Sequence, residues 1–236
     1  MMITGVQQIM TTTANMVPWV ELCGKMAPVL TLVMFAAPIP TIREIQQKKS
    51  VQQYPLLPYS SMMANTVLWS TYGILKSEPK IWTANALGLV LATIYSVIYN
   101  QYSPRSSPIL PGRIRQHVGA VCSVFLLASL LASRNMANTV GRLAVIFCIA
   151  MFGSPLSTLA QVLRDRSAAS IPLAFAMVSG LNCLSWSVTG WWGMATRDWN
   201  VVIPNMCGLS FAIAQLVLKV VYRGNSASEN NVKLAM

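Results

Sequence analysis

Residues 35–41 read Phe-Ala-Ala-Pro-Ile-Pro-Thr, and residues 152–158 read Phe-Gly-Ser-Pro-Leu-Ser-Thr. The two stretches match at Phe35 and Phe152, Pro38 and Pro155, and Thr41 and Thr158, a constant offset of 117. Each then runs through a basic turn to a serine, Ser50 and Ser167, still 117 apart. The offset holds at Pro55 and Pro172, Asn65 and Asn182, Trp69 and Trp186, and Gly73 and Gly190. It becomes 120 at Asn85 and Asn205 and at Gly88 and Gly208. Eight matches at 117 and two at 120 are an internal repeat, and the three-residue step reads as a loop insertion between the second and third helices of the second copy.

What each repeat is made of follows from the spacing of charges. The chain has 236 residues, 54% hydrophobic and 10% charged. Soluble domains carry about 25% charged residues. So few charges cannot cover a soluble surface, and the length suits one membrane domain. A membrane helix needs about 20 residues free of charge. The intervals between charges give seven candidates: 26–42, 50–75, 81–104, 116–133, 143–163, 167–196 and 199–218. The longer ones include loop residues. Their apolar character is all-round rather than striped, as in lipid-embedded helices. They lack the alternation of barrel strands, the other spanning solution. The expected fold is an all-α membrane protein with seven transmembrane helices.

Each repeat covers three spans, and span 116–133 lies between them without a counterpart. Two directly joined three-helix repeats would be inverted in the membrane. One extra helix restores a common orientation. The layout is therefore 3+1+3, with two parallel repeats related by an axis along the membrane normal. The expected divisions are a first repeat at 20–104, a linker helix within 105–135, a second repeat at 136–223 and a polar, disordered cytoplasmic tail at 224–236. Residues 1–20 lack a basic start, so no cleavable signal peptide is expected there.

The net charge is +11, which raises the question of nucleic acid. The basic residues are not gathered in one patch. They sit in short clusters between apolar runs, as membrane-flanking loops do, so no nucleic-acid partner is expected. With the N-terminus outside, the inner segments hold Arg43, Lys48, Lys49, Arg105, Arg113, Arg115, Arg164, Arg166, Lys219, Arg223 and Lys233. The outer ones hold Lys25, Lys76, Lys80, Arg134, Arg142 and Arg197. Eleven against six favours N-terminus out and C-terminus in. The five cysteines, Cys23, Cys122, Cys148, Cys183 and Cys207, show no CxxC spacing and read as apolar packing residues.

The repeated motifs carry a resemblance. The first half holds AAPIPTIREIQQKKS, LLPYSSMMANTVLWSTYG and TANALG; the second holds GSPLSTLAQVLRDRS, SIPLAFAMVSGLNCLSWSVTG and VIPNMCG. Over roughly residues 20–223 the chain resembles the SWEET sugar transporters of the wider PQ-loop type. Parallel repeats are a known property of that family, so the 3+1+3 layout agrees with it rather than adding to it. The resemblance implies a bidirectional, energy-independent sugar uniporter working by alternating access. It implies a central pocket with two asparagines and two tryptophans, at Asn85, Asn205, Trp69 and Trp186. It also implies hinge prolines, matching Pro38, Pro58, Pro155 and Pro172. Pro55 competes with Pro58, because Pro55 shares the 117 register with Pro172.

The residue chemistry suits that cargo. A sugar is neutral and covered in hydroxyls, and asparagine amides both donate and accept without charge. Taken alone, a membrane asparagine is more often glue between helices; the pairing across the repeat and the resemblance favour a pocket. Pro204, before Asn205, lacks a backbone donor and frees or kinks the helix locally. Ala84 stands before Asn85, so the halves differ there. Trp69 and Trp186 offer a broad apolar face to a sugar ring, with core packing as the plainer role. Trp19, Trp82, Trp191, Trp192 and Trp199 are expected at the membrane interfaces.

Asn65 and Asn182 each precede their tryptophan by four residues, on the same helix face. Met34 and Met151 pair at 117 as well. In the family, bulky Met and Asn at these four positions resemble monosaccharide carriers, so a hexose is expected, with a disaccharide as the alternative. No span carries a firmly central ionisable residue. Ion-coupled transporters usually do, so facilitated diffusion is expected. His117 opens the unpaired helix and is expected at the interface.

No nucleophile, base or metal cluster appears, so no enzyme, cofactor or metal is expected. The rival readings are a PQ-loop-type carrier of amino acids or organic cations, and a seven-helix receptor. The Pro-Gln dipeptide of the former is absent, since Ile39 follows Pro38 and Leu156 follows Pro155. A receptor would not show a tandem repeat. The expected partners are the sugar and the lipid bilayer, with a homo-oligomer left open. The family default is the plasma membrane, with internal membranes as the alternative.

Overall fold

The structure, a computed structural model, describes residues 18–52, 54–103, 114–151, 153–194 and 196–222, without the side chains of residues 153–155. The first 17 residues and the tail at 224–236 lie outside the described residues, so the signal-peptide and tail expectations do too. Nine helices are described: α1 (Pro18–Ala36), α2 (Ile39–Lys48), α3 (Leu57–Leu75), α4 (Pro79–Tyr102), α5 (Ile114–Ser133), α6 (Ala137–Met151), α7 (Gly153–Asp165), α8 (Leu173–Trp192) and α9 (Trp199–Val221). Helices α1 and α2 form one body interrupted at residues 37–38, and α6 and α7, on either side of residue 152, which lies outside the described residues, count as one span. That leaves seven helical bodies, the number the charge intervals predict, in an all-α membrane protein.

Six of the seven are long and apolar enough to cross a membrane. The remaining one is α3, which carries Ser60, Ser61, Asn65, Thr66, Ser70 and Thr71. It tolerates them because it is enclosed by protein: ten of its 19 residues are buried. Its repeat counterpart α8 has nine buried residues of 20. Several of their hydroxyls bond back to the carbonyl four residues earlier, as Thr66 does to Met62 and Thr189 to Ser185, while Ser70 Oγ is buried without a partner among the described residues. Such bonds satisfy polar groups without leaving the helix. By contrast, only His117 and Ala128 are buried on α5, the helix between the repeats.

Charge marked some helix starts wrongly. The first span was expected from residue 26, yet α1 starts at Pro18 and contains Glu21 and Lys25. These form an ion pair of 2.6 Å one turn apart, with both side chains exposed. Likewise, α6 starts at Ala137 and contains Arg142, before the expected start at 143. A long side chain in an end turn reaches water while its backbone stays helical. Charge therefore limits the apolar span, not the helix.

The break between α1 and α2 has a local cause. Pro38 has no N–H to continue α1, and Ala37 N donates instead to Met34 O at 3.1 Å. Ile42 N then bonds Pro38 O at 3.0 Å and α2 begins. Helix α2 ends at Lys49, whose φ of 50° is left-handed, and α7 ends at Arg166 with φ 48°. Those two residues are again 117 apart.

The helices pack as two compact units, residues 31–147 and residues 1–30 with 148–236. In the unit of residues 31–147, α3 packs on α4 and α5, and α2 packs on α4. Its core includes Ile45, Val51, Leu56, Tyr59, Tyr95 and Tyr99. In the other unit, α9 packs on α8 and α7, around Val162, Ala168, Ile171 and Ala176.

Each unit contains the same helical hairpin. Glu78 N donates to Gly73 O at 2.8 Å, and Asp198 N donates to Gly190 O at 2.8 Å. A Cβ on Gly73 would lie 2.7 Å from the backbone N of Trp82, and one on Gly190 would lie 3.0 Å from Val202 Cγ2. Gly73 and Gly190 differ by 117, but Trp82 and Val202 differ by 120. The three extra residues therefore fall in the turn between α8 and α9.

Candidate functional site

The paired asparagines sit in matching local geometry. Asn85 lies on α4, and its Nδ2 donates to Ile81 O at 2.9 Å. Asn205 lies on α9, and its Nδ2 donates to Val201 O at 2.8 Å. Ile81 and Val201 are also register equivalents, 120 apart. One N–H of each amide thus anchors the side chain to its own helix. Each amide also carries a second N–H and an Oδ1 with which to meet a hydroxyl. Asn85 is buried and Asn205 half-buried. Helix α9 runs through the buried Pro204 without a break.

The tryptophans are buried rather than interfacial, Trp69 at 9% exposure and Trp186 at 7%. Trp69 meets Tyr72 edge-on at 5.7 Å between ring centres. One turn earlier, Asn65 Oδ1 is buried and has no hydrogen-bond partner among the described residues. A buried amide oxygen without a partner is costly in apolar surroundings. Asn182 is half-buried on α8. Met34 is half-buried in the last turn of α1, and Met151 is exposed at the end of α6. Met34 precedes the break between α1 and α2.

The eight residues divide evenly between the two compact units. Met34, Asn65, Trp69 and Asn85 belong to the unit of residues 31–147. Met151, Asn182, Trp186 and Asn205 belong to the other.

The prolines occupy helix starts and a break. Pro38 stands between α1 and α2, Pro58 is the second residue of α3, and Pro172 is the N-cap of α8. Pro55 precedes α3 and lies outside it. Pro155 falls in the first turn of α7, with its side chain outside the described residues.

The other tryptophans are mostly exposed, as interface anchors should be: Trp19, Trp82, Trp192 and Trp199. Trp191 is half-buried, stacked edge-on with Trp199 and capped by the Arg197 guanidinium 4.5 Å from its ring centre.

His117 lies in the first turn of α5 and is buried, with Nδ1 hydrogen-bonded to Ser60 Oγ at 2.8 Å. Both residues line a largely apolar cleft of about 490 Å³ with Leu57, Ala64, Val121 and Phe147. Nothing in the register pointed to this contact, because α5 has no repeat partner. A second unforeseen cluster joins α2 to the loop after it. Glu44 accepts from Tyr54 Oη and Lys48 Nζ, both at 2.7 Å. The bond to Glu44, then burial, holds the Tyr54 phenol above its ordinary value.

Comparison with known proteins gives consistent matches. A family model described as "Sugar efflux transporter for intercellular exchange" matches residues 21–107 and again 138–227. "Bidirectional sugar transporter SWEET13" of Oryza sativa subsp. japonica is 31% identical over 210 residues, 87% of this chain and 70% of that protein. SWEET7b of the same organism is 30% identical over 86% of this chain and 77% of that protein. SWEET9 of Arabidopsis thaliana is 28% identical over 88% of this chain and 81% of that protein. Against rice SWEET15 the chain spans 65% of the relative's length. The fold matches that of a eukaryotic SWEET transporter solved at 3.7 Å, with a TM-score of 0.76 and 22% identity, over 87% of this chain and 97% of that one.

Proposed function

Because this chain belongs to the SWEET family of sugar efflux transporters, we propose that it is a uniporter carrying a sugar across a membrane in either direction, without an energy source. The observation that carries the reading is the pair of asparagines, Asn85 and Asn205. They share a register, and each is anchored to its own helix by the same back-bond. Fixed amides that donate and accept can hold hydroxyls without the desolvation cost of a charge. The buried Trp69 and Trp186 supply apolar faces for the ring. No catalytic step is needed; the work is binding, reorientation and release.

The cargo is a hexose. Met34, Met151, Asn65 and Asn182 are large side chains at matched positions and shrink the space for a second ring. The unpartnered Asn65 Oδ1 supports the same assignment, since a sugar hydroxyl would satisfy it. Pro38, Pro58, Pro155 and Pro172 are the hinges about which the repeats rock. Pro58 is preferred to Pro55 because it lies within α3. The repeats at 20–104 and 136–223, with a linker between them, are supported by the two separate matches of the family model. The charge bias supports a plasma-membrane orientation with the N-terminus outside and the C-terminus in the cytoplasm.

The test is uptake of labelled glucose and sucrose in transport-deficient cells. Glucose uptake that Asn205→Ala abolishes is expected. Sucrose transport without glucose transport would overturn the hexose assignment, and transport of neither would overturn the sugar reading.

A further inference from the structure

The loop between α2 and α3 and the loop between α7 and α8 are held in a comparable way. In the first, Tyr99 Oη near the end of α4 donates to Tyr54 O at 2.6 Å. In the second, Lys219 Nζ near the end of α9 donates to Ile171 O at 3.0 Å and Ala168 O at 2.7 Å. Tyr99 and Lys219 differ by 120, and Tyr54 and Ile171 by 117, so both donors and both acceptors are register equivalents. One repeat uses a neutral phenol where the other uses an ammonium.

Each loop leads straight into a hinge proline. Tyr54 is followed by Pro55 and then Pro58 in the first turn of α3. Ile171 is followed by Pro172, the N-cap of α8. A bend at these prolines must move the loop either with the third helix of its repeat or against it. A hydrogen bond from the third helix to the loop backbone couples the two. In the first repeat the coupling extends further, because Tyr54 also donates through its own hydroxyl to Glu44 on α2.

We propose that Lys219 and Tyr99 are equivalent positioning residues, each fastening the hinge loop of its repeat to the third helix so that loop and helix turn as one body during transport. The proposal rests on the transporter reading. Lys219 lies 14 residues after Asn205, about 21 Å along α9. Its loss should therefore slow turnover and leave sugar affinity alone. A lysine in the last turn of a helix also suits the helix dipole and the cytoplasmic side of a membrane. Those roles need the charge; the fastening needs only a donor. The variant Lys219→Tyr separates them, because it copies the first repeat and removes the charge.

Two measurements test the proposal. In transport assays on the full chain, Lys219→Met, which loses both hydrogen bonds, should lower the maximal hexose rate by at least about tenfold. KM should stay within about twofold. Lys219→Tyr should recover most of the rate, and Tyr99→Phe should lose rate in the same manner. In detergent and without sugar, amide exchange at residues 168–171 should quicken in Lys219→Met and slow again in Lys219→Tyr. An unchanged rate in Lys219→Met, or Lys219→Tyr no better than Lys219→Met at equal expression and melting temperature, would overturn the fastening. A wild-type chain that moves no sugar would sink the transporter reading, and the exchange measurement would then decide the fastening by itself.

Discussion

The loops before α3 and α8 close on different cores. The first stacks tyrosines: Tyr59 lies 6.1 Å from Tyr95 and 5.7 Å from Tyr99 between ring centres. At the equivalent positions the second repeat has Ala176, Gln215 and Lys219. Ala176 is nonetheless as buried as Tyr59, and Val162 as buried as its partner Ile45. The backbone scaffold is kept while the side chains that fill it are exchanged. Repeats thus preserve geometry, namely hairpin bonds, glycine contacts, left-handed caps and loop fastenings. They do not preserve composition. The asparagines keep the same back-bond in both repeats, whereas the cores are filled by different side chains.

The largest expected effect tests the agreement. Asn85→Ala and Asn205→Ala should each reduce hexose transport by at least about tenfold, because a lost polar partner leaves sugar hydroxyls unpaired in an apolar site. Retained transport in either, measured by labelled uptake, would break the equivalence of the two asparagines. A smaller, unequal effect is expected at the hairpin glycines. Gly73→Ala drives a methyl against the fixed backbone of Trp82, and overpacking of that kind costs about 1–3 kcal/mol. Gly190→Ala meets only the side chains of Val201 and Val202, and the gain in helix propensity of about 1 kcal/mol should leave it near neutral. Melting in detergent would show the order, and equal losses would contradict it.

Next comes a contact that exists in one repeat alone. Ser60→Ala removes the Ser60 partner of the buried His117, at about 1–2 kcal/mol. Its register equivalent Met177 is 50% exposed, so Met177→Ala should leave the melting point unchanged. The smallest effect should be shared. Lys49 and Arg166 both hold a left-handed φ that glycine adopts freely. Lys49→Gly and Arg166→Gly should each raise the melting temperature by about 1–3 °C. A gain at one alone would mean that the two caps are not equivalent.

Much of this was legible in the sequence. The seven bodies were visible because lipid excludes charge over about 20 residues. The repeat was visible because Pro, Gly, Asn and Trp have backbone or burial demands that few other residues meet. The start of α1 was not, since the Glu21–Lys25 pair is helical and solvent-exposed together. Nor was the burial of His117, which depends on α3 approaching a helix outside the repeat register. The Tyr99 and Lys219 fastenings stayed hidden because their residue types differ, and register matching scores only identity.

By itself, then, the sequence determined the class, the helix count, the duplication and the candidate pairs Asn85–Asn205 and Trp69–Trp186. These rest on local rules: charge exclusion, proline chemistry and identity at fixed spacing. Only the tertiary structure decided where the three inserted residues lie, which glycine meets backbone and which meets side chain, and which groups close the hinge loops. Such facts depend on atoms brought within about 3 Å from distant positions. A donor such as Lys219 is read as a surface charge until the carbonyls of Ala168 and Ile171 are seen around it.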